Sequence, residues 1–76
     1  MKLKQIAANV TELTINDTNV MFSYETPVAG WNDNGAFRTN EKFSVTTTKH
    51  INKYLAGLGV IKANYVTQKW IESIVN

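Results

Sequence analysis

The chain contains no cysteine, and only one proline, one histidine and one arginine. Without cysteine there is no disulfide and no thiolate ligand for a metal. A transition-metal centre takes three or four ligands, mostly His, Cys and carboxylates, and His50 is the only histidine. No cofactor is therefore expected. No apolar run approaches the roughly 18 residues of a membrane-spanning helix. The start, Met1-Lys2-Leu3-Lys4-Gln5, is charged and lacks the apolar stretch of a secretory signal. Together with the absence of cysteine, this predicts a cytoplasmic location. The Asn-x-Thr triplets at Asn9 and Asn16 match the glycosylation pattern, and without a secretion signal they read as chance.

Charge is also sparse. Seven lysines, Arg38 and six acids leave a net +2, scattered along the chain. A dedicated nucleic-acid binder concentrates Lys and Arg. No GxxxxGK[ST] loop or nucleophile elbow is present, and Glu12, Glu25, Glu41 and Glu72 show no spacing that pairs them as acid and base. The expectation is a protein without catalytic activity.

What is present suffices for one small domain, residues 1–76. Hydrophobic residues make up 43% of the sequence, too many for a disordered chain. A chain this short buries only about 60% of its unfolded surface, so a homo-oligomer is a natural way to enlarge the core.

The apolar period is two in the first half. Thr11, Leu13 and Ile15 alternate with Glu12 and Thr14, and after Asn16-Asp17-Thr18-Asn19 the residues Val20, Phe22 and Tyr24 alternate with Met21, Ser23 and Glu25. Folding at that four-residue turn pairs Ile15 with Val20, Leu13 with Phe22 and Thr11 with Tyr24, all on one face. Leu3 and Ile6 suggest an earlier strand. Pro27, which cannot donate to a ladder, marks a strand edge or a break. A second hairpin turns at Asn32-Asp33-Asn34-Gly35, with Trp31 opposite Arg38 or opposite Phe37. Phe43 and Val45 suggest one more short strand.

From Thr46 the period becomes helical. Ile51, Tyr54, Leu55 and Leu58 form one face, with Lys49, Asn52, Lys53 and Ala56 opposite. Thr46, Thr47 and Thr48 are candidate N-caps, and Gly57 and Gly59 a stop. A second helix is expected after Asn64 as cap, with Val66, Trp70 and Ile74 inward and Gln68 and Glu72 outward. The fold class is therefore α+β: an antiparallel sheet of four or five short strands, covered on one face by two C-terminal helices.

Seven residues are candidates for binding. Trp31, Phe37 and Arg38 would anchor a partner if exposed, or stack bases; a core or subunit-interface role is the simpler account of Trp31 and Phe37. Thr47, Lys49, His50 and Lys53 surround a predicted helix start, where hydroxyls, free N–H groups and cations could hold a phosphate. Threonine capping beside a solvated lysine face is the simpler account. His50 reads either as a general base or phosphate contact, or as a boundary histidine bonded to a strand or loop. The connection from Leu58 to Asn64 is longer than in a helix-turn-helix.

The segments Phe22-Ser23-Tyr24-Glu25-Thr26-Pro27-Val28-Ala29 and Ser44-Val45-Thr46-Thr47-Thr48-Lys49-His50-Ile51-Asn52-Lys53 resemble those of small bacteriophage-encoded proteins of unknown function, a likeness covering roughly residues 1–58. The resemblance implies a phage origin and carries no mechanism. The resulting expectation is a non-enzymatic phage accessory protein in the host cytoplasm that binds a host or phage protein. Nucleic-acid binding through Lys49, Lys53 and Arg38, or a minor virion subunit, are the alternatives.

Overall fold

A computed structural model describes residues 2–76; Met1, the first residue of the charged N-terminal stretch, lies outside the described residues. Five strands follow one another as an antiparallel meander: β1 (Lys2–Ala7), β2 (Val10–Ile15), β3 (Thr18–Ser23), β4 (Thr26–Asn32) and β5 (Gly35–Thr39). Each hairpin closes on a two-residue turn, since Ala7 pairs with Val10, Ile15 with Thr18, Ser23 with Thr26 and Asn32 with Gly35. Asn9 and Asn16 supply the positive φ of the first two turns, at 62° and 54°, a conformation asparagine tolerates better than most residues. In the fourth, Gly35 takes φ 117° after Asp33-Asn34, and the Asn32 side chain accepts from the Asn34 N–H at 2.8 Å.

The chain then crosses over. Helix α1 (Val45–Gly57) carries it from β5 to β6 (Asn64–Val66), which adds to β5 in parallel, and helix α2 (Gln68–Val75) ends the fold. The sheet has six strands in sequence order, more than the expected four or five. The earlier strand expected at Leu3 and Ile6 is the exposed β1, and the unanticipated strand is β6, in a segment expected to begin a helix. No strand forms at Phe43 and Val45; Val45 opens α1.

The two helices cover opposite faces, which corrects the expectation that both share one. Neighbouring residues of a strand point to opposite sides. Met21 packs with Val10, Ala29, Ile51 and Leu55 beneath α1, whereas the adjacent Val20 packs with Phe37 and Ile71 beneath α2. The run Val20-Met21-Phe22 is thus apolar because β3 is covered twice.

Both caps also differ from expectation. Ser44, rather than a threonine of 46–48, caps α1 by accepting from the Thr47 N–H at 3.1 Å. Thr67, rather than Asn64, caps α2 through the Trp70 N–H. That later start turns α2 so that Gln68 and Ile71 are buried while Trp70 is exposed. Of the expected inward set, Ile74 packs against the core formed by Val20, Phe37 and Ile71, and Val66 does so from β6 rather than from the helix. The stop after Gly57 is a Schellman motif. Val60 N–H reaches Leu55 O and Gly59 N–H reaches Ala56 O, both at 3.0 Å, with Gly59 at φ 75°.

Register explains the remaining differences. Leu13 faces Val20 and Thr11 faces Phe22, a shift of two residues from the expected pairs. A two-residue shift preserves faces. Trp31 lies opposite Ala36, neither Arg38 nor Phe37. Pro27 sits at the start of β4, beside an irregularity in its pairing with β3, where a missing donor is tolerated.

Candidate functional site

Because α1 lies over β3, the α1 side of β1 and β2 extends beyond it. The result is a groove of about 640 Å³ between the β1–β2 hairpin and the helix. Its floor is apolar, with Ile6, Ala7, Ala8, Val10 and Leu58; its polar wall is Glu12, His50, Lys53 and Tyr54. A pairing irregularity between Gln5 and Ala7 turns the β1 end so that Ile6 joins this floor.

Tyr54 closes one side of the groove. Its hydroxyl donates to Glu12 Oε2 at 2.5 Å. Burial, then the hydrogen bond to Glu12, then the negative charge of that carboxylate push the phenol well above its ordinary range, while Trp31 acts in the opposite sense. Tyr54 is therefore a fixed neutral donor at any physiological pH.

At the other end, hydroxyls bind α1 to the sheet. Ser23 Oγ lies 2.8 Å from His50 Nδ1 and 3.1 Å from Thr47 Oγ1, and Ser44 Oγ donates to Thr47 Oγ1 at 3.2 Å. One hydroxyl hydrogen on Ser23 serves one of two neighbours, so the His50 tautomer sets the direction of the chain. Ser23 is buried, which leaves a substrate no approach to its oxygen and makes the Ser23–His50 pair a fastener. Tyr24 stands beside it at φ 59°, an uncommon conformation for a bulky residue, its exposed ring 5.8 Å from the imidazole.

The sequence candidates are thereby separated. His50 is the boundary histidine bonded to a strand. Thr47 is buried within the fastener, and Phe37, 4% exposed, lies in the core with its ring 5.0 Å from Trp70 in edge-to-face contact. Neither offers a surface to a partner. Trp31 stays 38% exposed near Tyr54. Lys49 and Lys53 are exposed on α1, and Lys53 reaches the groove. Arg38 is not on an exposed hairpin tip. It lies half-buried between α1 and β6, donating to Asn52 Oδ1 at 3.1 Å and stacking 5.1 Å from the Tyr65 ring centre.

Sequence reasoning missed Tyr65, Glu12 as the partner of Tyr54, and the groove floor. The exposed Leu3 and Ile6 of β1 were the available signal. Among the described residues, no three His, Cys, Asp or Glu side chains gather to hold a metal ion. No helix is long and apolar enough to cross a membrane.

The chain is thus a small α+β domain, a six-stranded sheet with a helix on each face. It belongs to a family of unknown function (DUF8033), whose model matches residues 1–73. No curated protein and no solved structure matches it.

Proposed function

We propose that this domain is a non-catalytic binding module, an accessory protein of bacteriophage, whose groove between the β1–β2 hairpin and α1 receives an acidic, amphipathic segment of a host or phage protein. The observation that carries the reading is the combination of an apolar floor and a basic surround. Ile6, Val10 and Leu58 are ready to take apolar side chains, and clefts of this size suit a few such anchors. The elements on either side carry cations and no acid: α1 has Lys49 and Lys53, and β1 has Lys2 and Lys4. Glu12, the carboxylate in the groove, is engaged by Tyr54. A partner bearing carboxylates beside its apolar anchors complements this field. The phage setting rests on the likeness of the Phe22–Ala29 and Ser44–Lys53 segments.

The test is a titration of the isotope-labelled protein with a Leu/Phe peptide carrying Glu and Asp, its Lys-substituted counterpart, and a single-stranded oligonucleotide. The acidic peptide should shift amides of Ile6–Val10 and Lys53–Leu58, and Lys53→Glu or Ile6→Glu should abolish the shifts. Equal response to the Lys peptide would refute the charge argument. Shifts produced by the oligonucleotide alone would transfer the surface to nucleic-acid binding.

A further inference from the structure

Arg38 raises a question that the groove does not answer. It is the only arginine, placed on the α1 face of β5 opposite Ala29 and Tyr65. Its hydrogen-bond partner is the neutral amide of Asn52, and its Nε is buried with no partner. Among the described residues no carboxylate pairs with it. A half-buried cation without a counter-charge is costly; an anion at this position would offset that cost.

The surroundings supply a place for one. A cleft of about 320 Å³ opens beside the guanidinium, between α1 and the segment leading into β6. Asn52, Val60, Lys62 and Tyr65 are among its walls, and no acidic residue lines it. Stacking on Tyr65 and the Asn52 bond fix the plane of the guanidinium in advance, which suits a planar donor fork to an oxyanion. Two cations with no acid favour a multiply charged anion over a single carboxylate. A second cleft of about 290 Å³, on the other side of Arg38, contains Glu41 beside Lys42 and is the poorer candidate.

We propose that the cleft between α1 and β6 binds a phosphate group, with Arg38 as the oriented donor and Lys62 as the second cation. The site lies across α1 from the groove and does not depend on the reading of that groove. The probe is inorganic phosphate at constant ionic strength, followed by amide and arginine Nε resonances, with AMP and succinate as separate arms. Saturable shifts at Arg38, Asn52 and Tyr65 are expected. Lys62→Gln, on the loop outside the sheet, should weaken binding several-fold without altering the thermal midpoint. Arg38→Lys should weaken it by roughly tenfold, since an ammonium lacks the fork. AMP binding tighter than phosphate would identify a nucleotide source, and equal binding a free phosphate. Shifts matched by chloride or succinate, or unaffected by Lys62→Gln, would overturn the assignment.

Discussion

Tyr54 on α1 and Glu12 on β2 are joined by a 2.5 Å hydrogen bond across 42 positions of sequence. The crossover helix, centred over β3, is thereby held to β2 as well. Tyr54→Phe would leave the carboxylate without its donor in a partly buried setting. Loss of a hydrogen bond to a charged group costs about 1.5–3 kcal/mol. Urea unfolding at pH 7 should show a loss in that range, and the double variant Tyr54→Phe/Glu12→Gln should recover part of it. A loss from the single variant below about 0.5 kcal/mol, the range of an ordinary surface substitution, would mean that solvent replaces the phenol.

The same pair gives a pH dependence. The folded phenol titrates above the unfolded one, which has a pKa of about 10. Below that value both states hold the proton and the full contribution is present. As pH rises past about 10 the unfolded chain releases the proton while the fold keeps it, so stability falls with pH. Absorbance titration should show one of the three tyrosines ionising only as the protein unfolds. Tyr54→Phe should flatten the alkaline decline.

Glycine positions provide a contrast in packing. A Cβ on Gly30 would collide with the Asn19 carbonyl oxygen and reach 2.5 Å from Phe37 Cζ, because the Phe37 ring lies over Gly30 in the register that pairs them. Gly30→Ala should cost about 1–3 kcal/mol, as overpacking does, or more where backbone must move. A Cβ on Gly57 meets nothing within 4 Å, and its φ is not positive. Gly57→Ala, at the end of α1, should be neutral or gain about 0.5–1 kcal/mol. Thermal melts should therefore show a loss for Gly30→Ala and none for Gly57→Ala, and equal losses would contradict the packing.

These elements were unequally legible in the sequence. The change from alternating to helical spacing near Thr46 is visible because residues within one element share one face. The faces of the first hairpin were readable even with its pairs displaced, since a shift of two residues leaves them unchanged. The opposite placement of the helices depends on distant packing, yet Val20-Met21-Phe22 hinted at it by being apolar on both faces. β6 has three residues, too few for any period to show. Ser23–His50 and Tyr54–Glu12 join separate elements and follow from topology. Arg38 attracted notice as a lone arginine, but its burial against Tyr65 required β6.

The hydroxyl fastener supplies the last test. Ser23 is the central member, placed between Thr47 and His50 on the α1 side of β3. Ser23→Ala removes it, leaving His50 Nδ1 without its partner and Thr47 Oγ1 with Ser44 alone, at about 1–3 kcal/mol for a buried group left unpaired. Thr47→Val removes its neighbour while keeping shape. Because both changes break the same bond, their sum should exceed the loss in the double variant. A coupling of about 0.5–3 kcal/mol is the expected range for residues in one network. Ser44→Ala should cost about 1 kcal/mol, mainly by opening the α1 cap. Additivity of Ser23→Ala and Thr47→Val within about 0.3 kcal/mol would mean that the two hydroxyls act independently and form no coupled fastener between α1 and the sheet.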